Sequence, residues 1–376
     1  MIIRSEDLKN CCQSILAAVD SNEVSVVTET LELVSEGTFL YLNVTNREYY
    51  AQVKFDLNEV CQEFHATVNA NLFLKLISQI TTDTIGLEIK ENTLVVTGNG
   101  TYKLPLIFDG DNLLELPKIN INNITSSFDI DSNVLNSILT YNSKELTKGT
   151  ISRPVQKFYY VDEQGAITFT SGACVNSFTL NQPIKILLNN RLVKLFKLFK
   201  EGNVKFSLGY DAISDTIIQT KVNFENDTIS LTAILSCDDS MLNSVPVNAI
   251  RGRADNVYPY SVNMNKDALI QTINRLLLFS SGIGAKENIK PYSKFEFNKD
   301  SVTIYDANGE NKEVIRYNNS DLGMDGIYTA ILDLADLKTT LETCFEQYLT
   351  FNFGDSSAVV IARGLVKNII PEIKEI

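Results

Sequence analysis

The chain has no tryptophan and one histidine, His65. A single histidine excludes a His-rich metal site and argues against a Ser–His or Cys–His nucleophile. His65 heads the alternating run "HATVNA" and reads as a strand-end residue without chemistry. No apolar run approaches the ~18 residues of a membrane span. The N-terminal "MIIRSEDLKNCCQSILAAVD" has no apolar core of the secretory kind. Six cysteines (Cys11, Cys12, Cys61, Cys174, Cys237, Cys344) lack metal-ligand spacing and are expected to be reduced core residues in the cytosol. The acid pairs Asp109/Asp111 and Asp238/Asp239 fall in linker-like stretches, so they read as solvated loop acids rather than paired catalytic carboxylates. Metal, cofactor and catalytic constellation are therefore all expected to be absent, and the chain is expected not to be an enzyme.

Excess positive charge is also missing. The formal net charge is −13, which argues against a protein coated in nucleic acid. The distribution is uneven, however. Between Lys144 and Lys205 lie ten basic residues and four acids, a local net of +6 that leaves −19 for the remainder. An acidic exterior with one basic strip repels nucleic acid in general and accepts it along one surface.

What the chain does have is a unit that appears three times: an apolar run, a polar N-cap, a short amphipathic helix and a second apolar run. The copies begin at Phe64, Pro183 and Gly326, with helix starts near Asn69, Asn189 and Asp333, 120 and 144 residues apart. Such spacings are domain-sized. Each third also opens with a helix. The first is expected to be capped by Ser5 and to bury Leu8, Cys11, Cys12, Ile15 and Leu16. The second starts near Asp131 and the third near Asn265, with Leu269, Ile273, Leu276 and Leu277 on its apolar face. Alternating strands fill the intervals. The polar stretches Asp109–Ser126 and Asp238–Tyr260 read as linkers, which gives domains of 1–120, 121–250 and 251–376. Antiparallel strands with two helices per domain make an α+β architecture.

These pieces in this order resemble the bacterial sliding clamps, the beta subunits of DNA polymerase III. The resemblance rests on the repeated helix unit followed by "TYKLPLIFDGDNLLELPKI", on "KDALIQTINRLLLFSS" opening the last third, and on the closing "LTFNFGDSSAVVIARGLVKNIIPEI". It implies a head-to-tail homodimer that closes into a six-domain ring, with helices lining the hole and sheets outside. Such a ring encircles duplex DNA without reading sequence and tethers the polymerase. The alternative is a clamp-like protein scaffold that no longer encircles DNA. The Asn/Ile/Lys-rich composition suits a phage-encoded or otherwise divergent member, acting in the bacterial cytoplasm or, if phage-encoded, in that of the host.

The resemblance also assigns surfaces. DNA contact would fall to Arg191, Lys194, Lys197 and Lys200, whose i+3 steps drift by about 60° around an α-helix, with Leu192, Leu195, Phe196 and Phe199 opposite. Lys144, Lys148, Arg153 and Lys157 flank the other middle-third helix, Arg275 lies in its last-third counterpart, and Lys9 and Lys75 are weaker candidates. The helix after Asp333 offers Lys338 against Asp336, Glu342 and Glu346, so that sector is not expected to be positive. Tyr102 and Leu104 on one side, Leu278 and Phe279 on the other, match the family's dimer contacts. The family's groove for short apolar motifs of polymerases and the clamp loader maps to Val155, Thr170, Gly172, Val175, Ile369, Ile370, Pro371 and Ile373. Two departures stand out there. A Gly-His-Arg-Leu-like stretch is replaced by Gly172-Ala173-Cys174-Val175, and "DDSMLNSVP" lacks the family's arginine.

Overall fold

A computed structural model describes the chain except residues 20–24, 62, 149–150, 215–216, 236–237, 281–290, 321–325 and 375–376. Cys237, Gly149 and the Ser/Gly cluster after residue 280 lie outside the described residues.

Helices begin where local capping chemistry dictates. The helices are α1 Ser5–Ile15, α2 Ala70–Gln79, α3 Ser132–Ser137, α4 Asn190–Lys194, α5 Asp239–Asn243, α6 Val247–Ala254, α7 Lys266–Ser280 and α8 Leu334–Leu341. The Asn69 side chain accepts from the Leu72 N–H at the start of α2, and Asp333 accepts from Ala335 and Asp336 at the start of α8. Asp131 and Asn265 do the same for α3 and α7. Ser5 is a correction: it is the first residue inside α1, buried, and its hydroxyl donates to the Thr82 carbonyl, while Arg4 holds the cap position without a side-chain capping bond. Leu16, expected in the core, is 49% exposed because α1 tightens into a 3-10 turn at Leu16–Ala18.

Chain contacts gather the residues into two compact units. One comprises Met1–Asn136 and Arg191–Ser236, the other Ser137–Asn190 and Cys237–Ile376. The middle third is thus divided, and strand pairing gives the reason. In the first unit an eight-stranded antiparallel sheet joins Ile229–Ile234 to Tyr49–Asp56, with Leu231 opposite Ala51. In the second a nine-stranded sheet joins Ala173–Ser177 to Val366–Pro371, with Val175 opposite Lys367. Each unit also has a four-stranded sheet, ending on Thr101–Pro105 in the first and on Lys312–Arg316 in the second.

The cores are aromatic and aliphatic. In the first unit Phe196, Phe199 and Phe206 surround Phe224, with ring centroids 5.0, 6.4 and 5.3 Å away. In the second, Phe297 stacks on Phe353 at 4.1 Å above Leu269, Ile273, Leu276, Leu337 and Leu341. Cys12, Cys174 and Cys344 are buried, Cys11 and Cys61 half-buried, and all five are free thiols. Burial, followed by the Asp7 carboxylate, pushes the Cys11 thiol up to about 12.

Both supposed linkers are structured. Within Asp109–Ser126, a hairpin pairs Phe108–Asp109 with Asn112–Leu113, and Leu114 and Leu116 are buried. Within Asp238–Tyr260, α5 and α6 form, and Val245, Ile250 and Ala254 join a core cluster. Polar composition concealed the few apolar residues that anchor each segment.

The four-ring cluster sets a test of the first unit. Phe224→Ala removes the ring that the other three touch and leaves a cavity. It is expected to cost about 3–5 kcal/mol, read as a lower urea midpoint at unchanged slope.

Candidate nucleic-acid, self-association and peptide surfaces

The basic row is straighter than its sequence suggests. After α4 the chain continues as a 3-10 turn, Leu195–Leu198. Three residues per turn make i and i+3 eclipse, so the drift expected of an α-helix largely vanishes. Lys194 and Lys197 stand one above the other and exposed, Lys200 follows just past the end, and Leu192, Leu195, Phe196 and Phe199 are buried behind them. Arg191 is half-buried, its guanidinium 3.6 Å from the Glu48 carboxylate. In the second unit Lys144, Arg153 and Lys157 are exposed, as is Lys75 in the first, while Lys9 is half-buried.

Two candidates are corrected. Lys148 is buried; its ammonium donates to Glu145 (2.6 Å) and to the Thr340 hydroxyl, so it cannot reach a phosphate. The price of burying that charge is met by an equally buried carboxylate. Arg275 is exposed, but its guanidinium holds Glu313 through two bonds of 2.7 and 2.5 Å. That contact raises Arg275 and lowers Glu313 from their ordinary values, leaving little free positive charge. On α8, Lys338 sits 3.9 Å from Glu342, and Asp333 caps the helix through the Ala335 and Asp336 N–H groups.

The self-association candidates divide in the same way. Thr101–Pro105 is an outermost strand, with Thr101, Tyr102 and Lys103 exposed. Leu104 is a correction: at 2% exposure it is core, facing Leu94 across the ladder. Leu278 and Phe279 are 69% and 51% exposed at the end of α7, although Leu269, Ile273 and Leu276 bury its other face. Sequence reasoning missed Val314, 61% exposed on the outermost strand Lys312–Arg316. The signal was available: Ile315 is buried, so Val314 is an apolar residue in the solvent phase of an alternating strand.

The peptide candidates come together, but covered. Val155, Val175 and Ile369, at 3–4% exposure, form one apolar strip with Phe169, Leu187, Val245, Ile250 and Ala254. α6 packs on the strands Ala173–Ser177 and Val366–Pro371, and α5 on the turn Pro154–Lys157. The expectation of an open groove is corrected here: the linker has folded over it. Thr170 is half-buried and donates to Glu145 (2.9 Å). Gly172 meets Ile369 so closely that a Cβ would lie 2.3 Å from its carbonyl oxygen. Ile370 alternates to the opposite core, while Pro371 and Ile373 are half-buried, with the Ile373 N–H donating to Ile331.

Ion pairs fasten the cover. Arg251 of α6 binds Asp162 through two bonds of 2.8 and 2.6 Å, and Asp255 accepts from Lys367 at 2.7 Å. Burial pushes the Asp162 carboxyl up, but the Arg251 bonds and the Gln164 N–H outweigh it, holding the group below its usual value. Beside this pair lies a polar cleft of about 440 Å³ lined by Asp162, Glu163, Lys185, Pro246, Asn248 and Arg251.

Among the described residues no group of His, Cys, Asp and Glu could hold a metal ion. Asp238 caps α5 by accepting from Met241, which accounts for its lowered carboxyl. His65 begins a strand as expected, and its ring lies 3.1 Å from the buried Glu32, which also accepts from Asn43.

The repeated helix–strand units and paired sheets define a sliding-clamp fold. It superposes over its whole length on the DNA polymerase III subunit beta of Pseudomonas aeruginosa, with a TM-score of 0.79, 14% identity and 100% coverage of both chains. A Helicobacter pylori beta clamp bound to a DNA ligase peptide matches at 0.70, 17% identity and 100% and 99% coverage. In sequence, the beta sliding clamp of H. pylori is 24% identical over 211 residues, 53% of this chain and 56% of that protein, so the alignment spans about half of either. No protein-family model matches the chain.

The Asp162 carboxyl sets the pH response of the α6 attachment. A depressed carboxyl stabilises above its unfolded value of about 3.8 and loses that contribution as pH falls through the folded value. Denaturation midpoints of the native chain are expected to exceed those of Asp162→Asn near neutrality and to converge on them only as pH falls below 3.8 and through the lower folded value. A gap that stays constant with pH would remove the charge from the account.

Proposed function

We propose that this chain belongs to the bacterial DNA polymerase III beta-clamp family and acts as a processivity factor without catalytic activity. Two copies join head to tail, closing a ring of six domains around duplex DNA and tethering a polymerase. The observation that carries the reading is the row of Lys194, Lys197 and Lys200 on a clamp fold matched over its full length. Flexible ammonium groups spaced by one 3-10 turn give weak, sequence-independent phosphate contact, which a sliding ring requires. Lys144, Arg153 and Lys157 add to it, and the acidic remainder keeps DNA off the exterior.

Closure is assigned to Thr101–Pro105 of one copy against α7 and Lys312–Arg316 of the next. Both strands are outermost in their sheets, and pairing them would satisfy the backbone groups that an edge leaves free. Tyr102, Leu278, Phe279 and Val314 supply the apolar contact. The peptide seen on the H. pylori clamp supports a groove here for polymerase and loader segments. The scaffold alternative is favoured by one observation, the commitment of Lys148 and Arg275 to Glu145 and Glu313.

Two measurements test the reading. Light scattering should give a mass of about twice 42.0 kDa, and Leu278→Asp with Phe279→Asp should halve it; a native monomer at micromolar concentration would sink self-closure. Loaded protein should stay on circular DNA and leave when the circle is cut. Lys194→Glu, Lys197→Glu and Lys200→Glu together should shorten retention on the circle and flatten its dependence on salt. Equal retention on linear and circular DNA would favour the scaffold.

A further inference from the structure

α6 occupies the place where the resemblance puts a partner's peptide. We propose that α6 is an intramolecular ligand of the apolar strip, and that a partner's short apolar segment binds there by displacing it. The inference rests on the groove reading above.

The contacts of α6 have the form of helix-in-groove recognition. Val247, Ile250 and Ala254, at i, i+3 and i+7, face the strip. Ile250 and Ala254 are 8% and 4% exposed, and the strip residues Val155, Val175 and Ile369 are 3–4% exposed beneath them. Asn248, Ala249, Gly252 and Arg253 face solvent. The polar attachment is concentrated at the C-terminal end: Arg251, in the last turn, holds Asp162, and Asp255, just past the helix, holds Lys367. Asn256 adds a 3.3 Å bond to Asp355.

The same features make the contact reversible. Eight residues are too few to hold a helix in water unaided. Gly252 sits inside α6 with nothing within 4 Å of where a Cβ would be, so no packing demands a glycine there, and it weakens the helix. The cleft beside Arg251 and Asn248 leaves the cover open along one side. A competing segment with two apolar anchors would gain the strip, while α6 would lose its fold on leaving. Affinity for that segment is then reduced by the fraction of molecules in which α6 is seated.

The probe is a fluorescein-labelled peptide of residues 245–256 of this chain, added in trans and followed by anisotropy. A full-length variant with 247–254 replaced by an equally long Gly/Ser run should bind it saturably. The native chain should bind at least about tenfold more weakly. Arg251→Ala with Asp162→Asn and Lys367→Ala, which frees the attachment without leaving a lone buried charge, should fall between. A Gly/Ser variant that keeps its native circular dichroism and ignores the peptide overturns the proposal, as does native binding equal to the variant's. Hydrogen exchange on the native chain decides the matter if the Gly/Ser variant does not fold. Amides of α6 should exchange at least about tenfold faster than those of Val366–Pro371, and equal rates would make α6 permanent core. Neither readout involves DNA or ring closure, so failure here leaves the clamp reading standing, and failure of DNA retention leaves this proposal standing.

Discussion

Backbone pairing between thirds of the chain is the constraint on which the rest depends. A half-domain of this kind exposes one row of N–H and C=O groups, and an edge of that kind must be paired, covered or blunted. Ile229–Ile234 meets Tyr49–Asp56, and Ala173–Ser177 meets Val366–Pro371. The first pairing fixes the sheet behind α1, α2 and the Lys194 row. The second brings Gly172 against Ile369 and builds the floor of the apolar strip. Once the internal edges are consumed, Thr101–Pro105 and Lys312–Arg316 remain outermost, beside exposed apolar side chains. Self-association of the kind proposed is the same pairing rule applied between copies.

Charge is partitioned by whether it is needed in water. Glu145 and Lys148 are buried together, and Glu145 also takes the Thr170 hydroxyl, so the pair ties the end of the middle-third helix to α8 and to the rim of the strip. Buried pairs of this sort contribute little net stability, yet removing one member is costly, which favours a single arrangement of the seam. Arg363 is buried nearby, bonded to the Thr343 carbonyl and the Asn368 side chain, with its guanidinium 5.1 Å above Tyr141. Lys194, Lys197 and Lys200 stand exposed instead, as the phosphate contact proposed above requires.

Much of this was legible in the sequence, and what was legible is local. Asn69, Asp131, Asn265 and Asp333 marked helix starts because an N-cap acts within one turn. The Lys194 row followed from residue spacing, whereas Leu278 and Phe279 were marked by the resemblance, and both are exposed. What failed required knowledge of distant partners. Lys148 looks like any lysine until Thr340 arrives from 192 residues away. Leu104 was assigned to the contact surface by the resemblance, but it packs into the core opposite Leu94 while Thr101, Tyr102 and Lys103 stay exposed. The segment from Asp238 to Tyr260 looked like a linker because its apolar residues are scattered among polar ones, with Val245, Ile250 and Ala254 buried in the core cluster, while Arg251 finds its carboxylate 89 residues back in the chain.

That last error carries the most meaning. On the proposed reading, an apolar strip that receives a partner is a liability while the partner is away, since exposed contiguous apolar surface invites association. The chain covers it with a segment whose own sequence, VNAIRGRA, is a poor helix former. A strong helix would seal the strip permanently, and a structureless loop would leave it bare. A weak helix held by two anchors and two ion pairs lies between these limits, because its order comes from the surface it covers rather than from itself. The polar composition that disguised it as a linker is therefore the property that lets it leave.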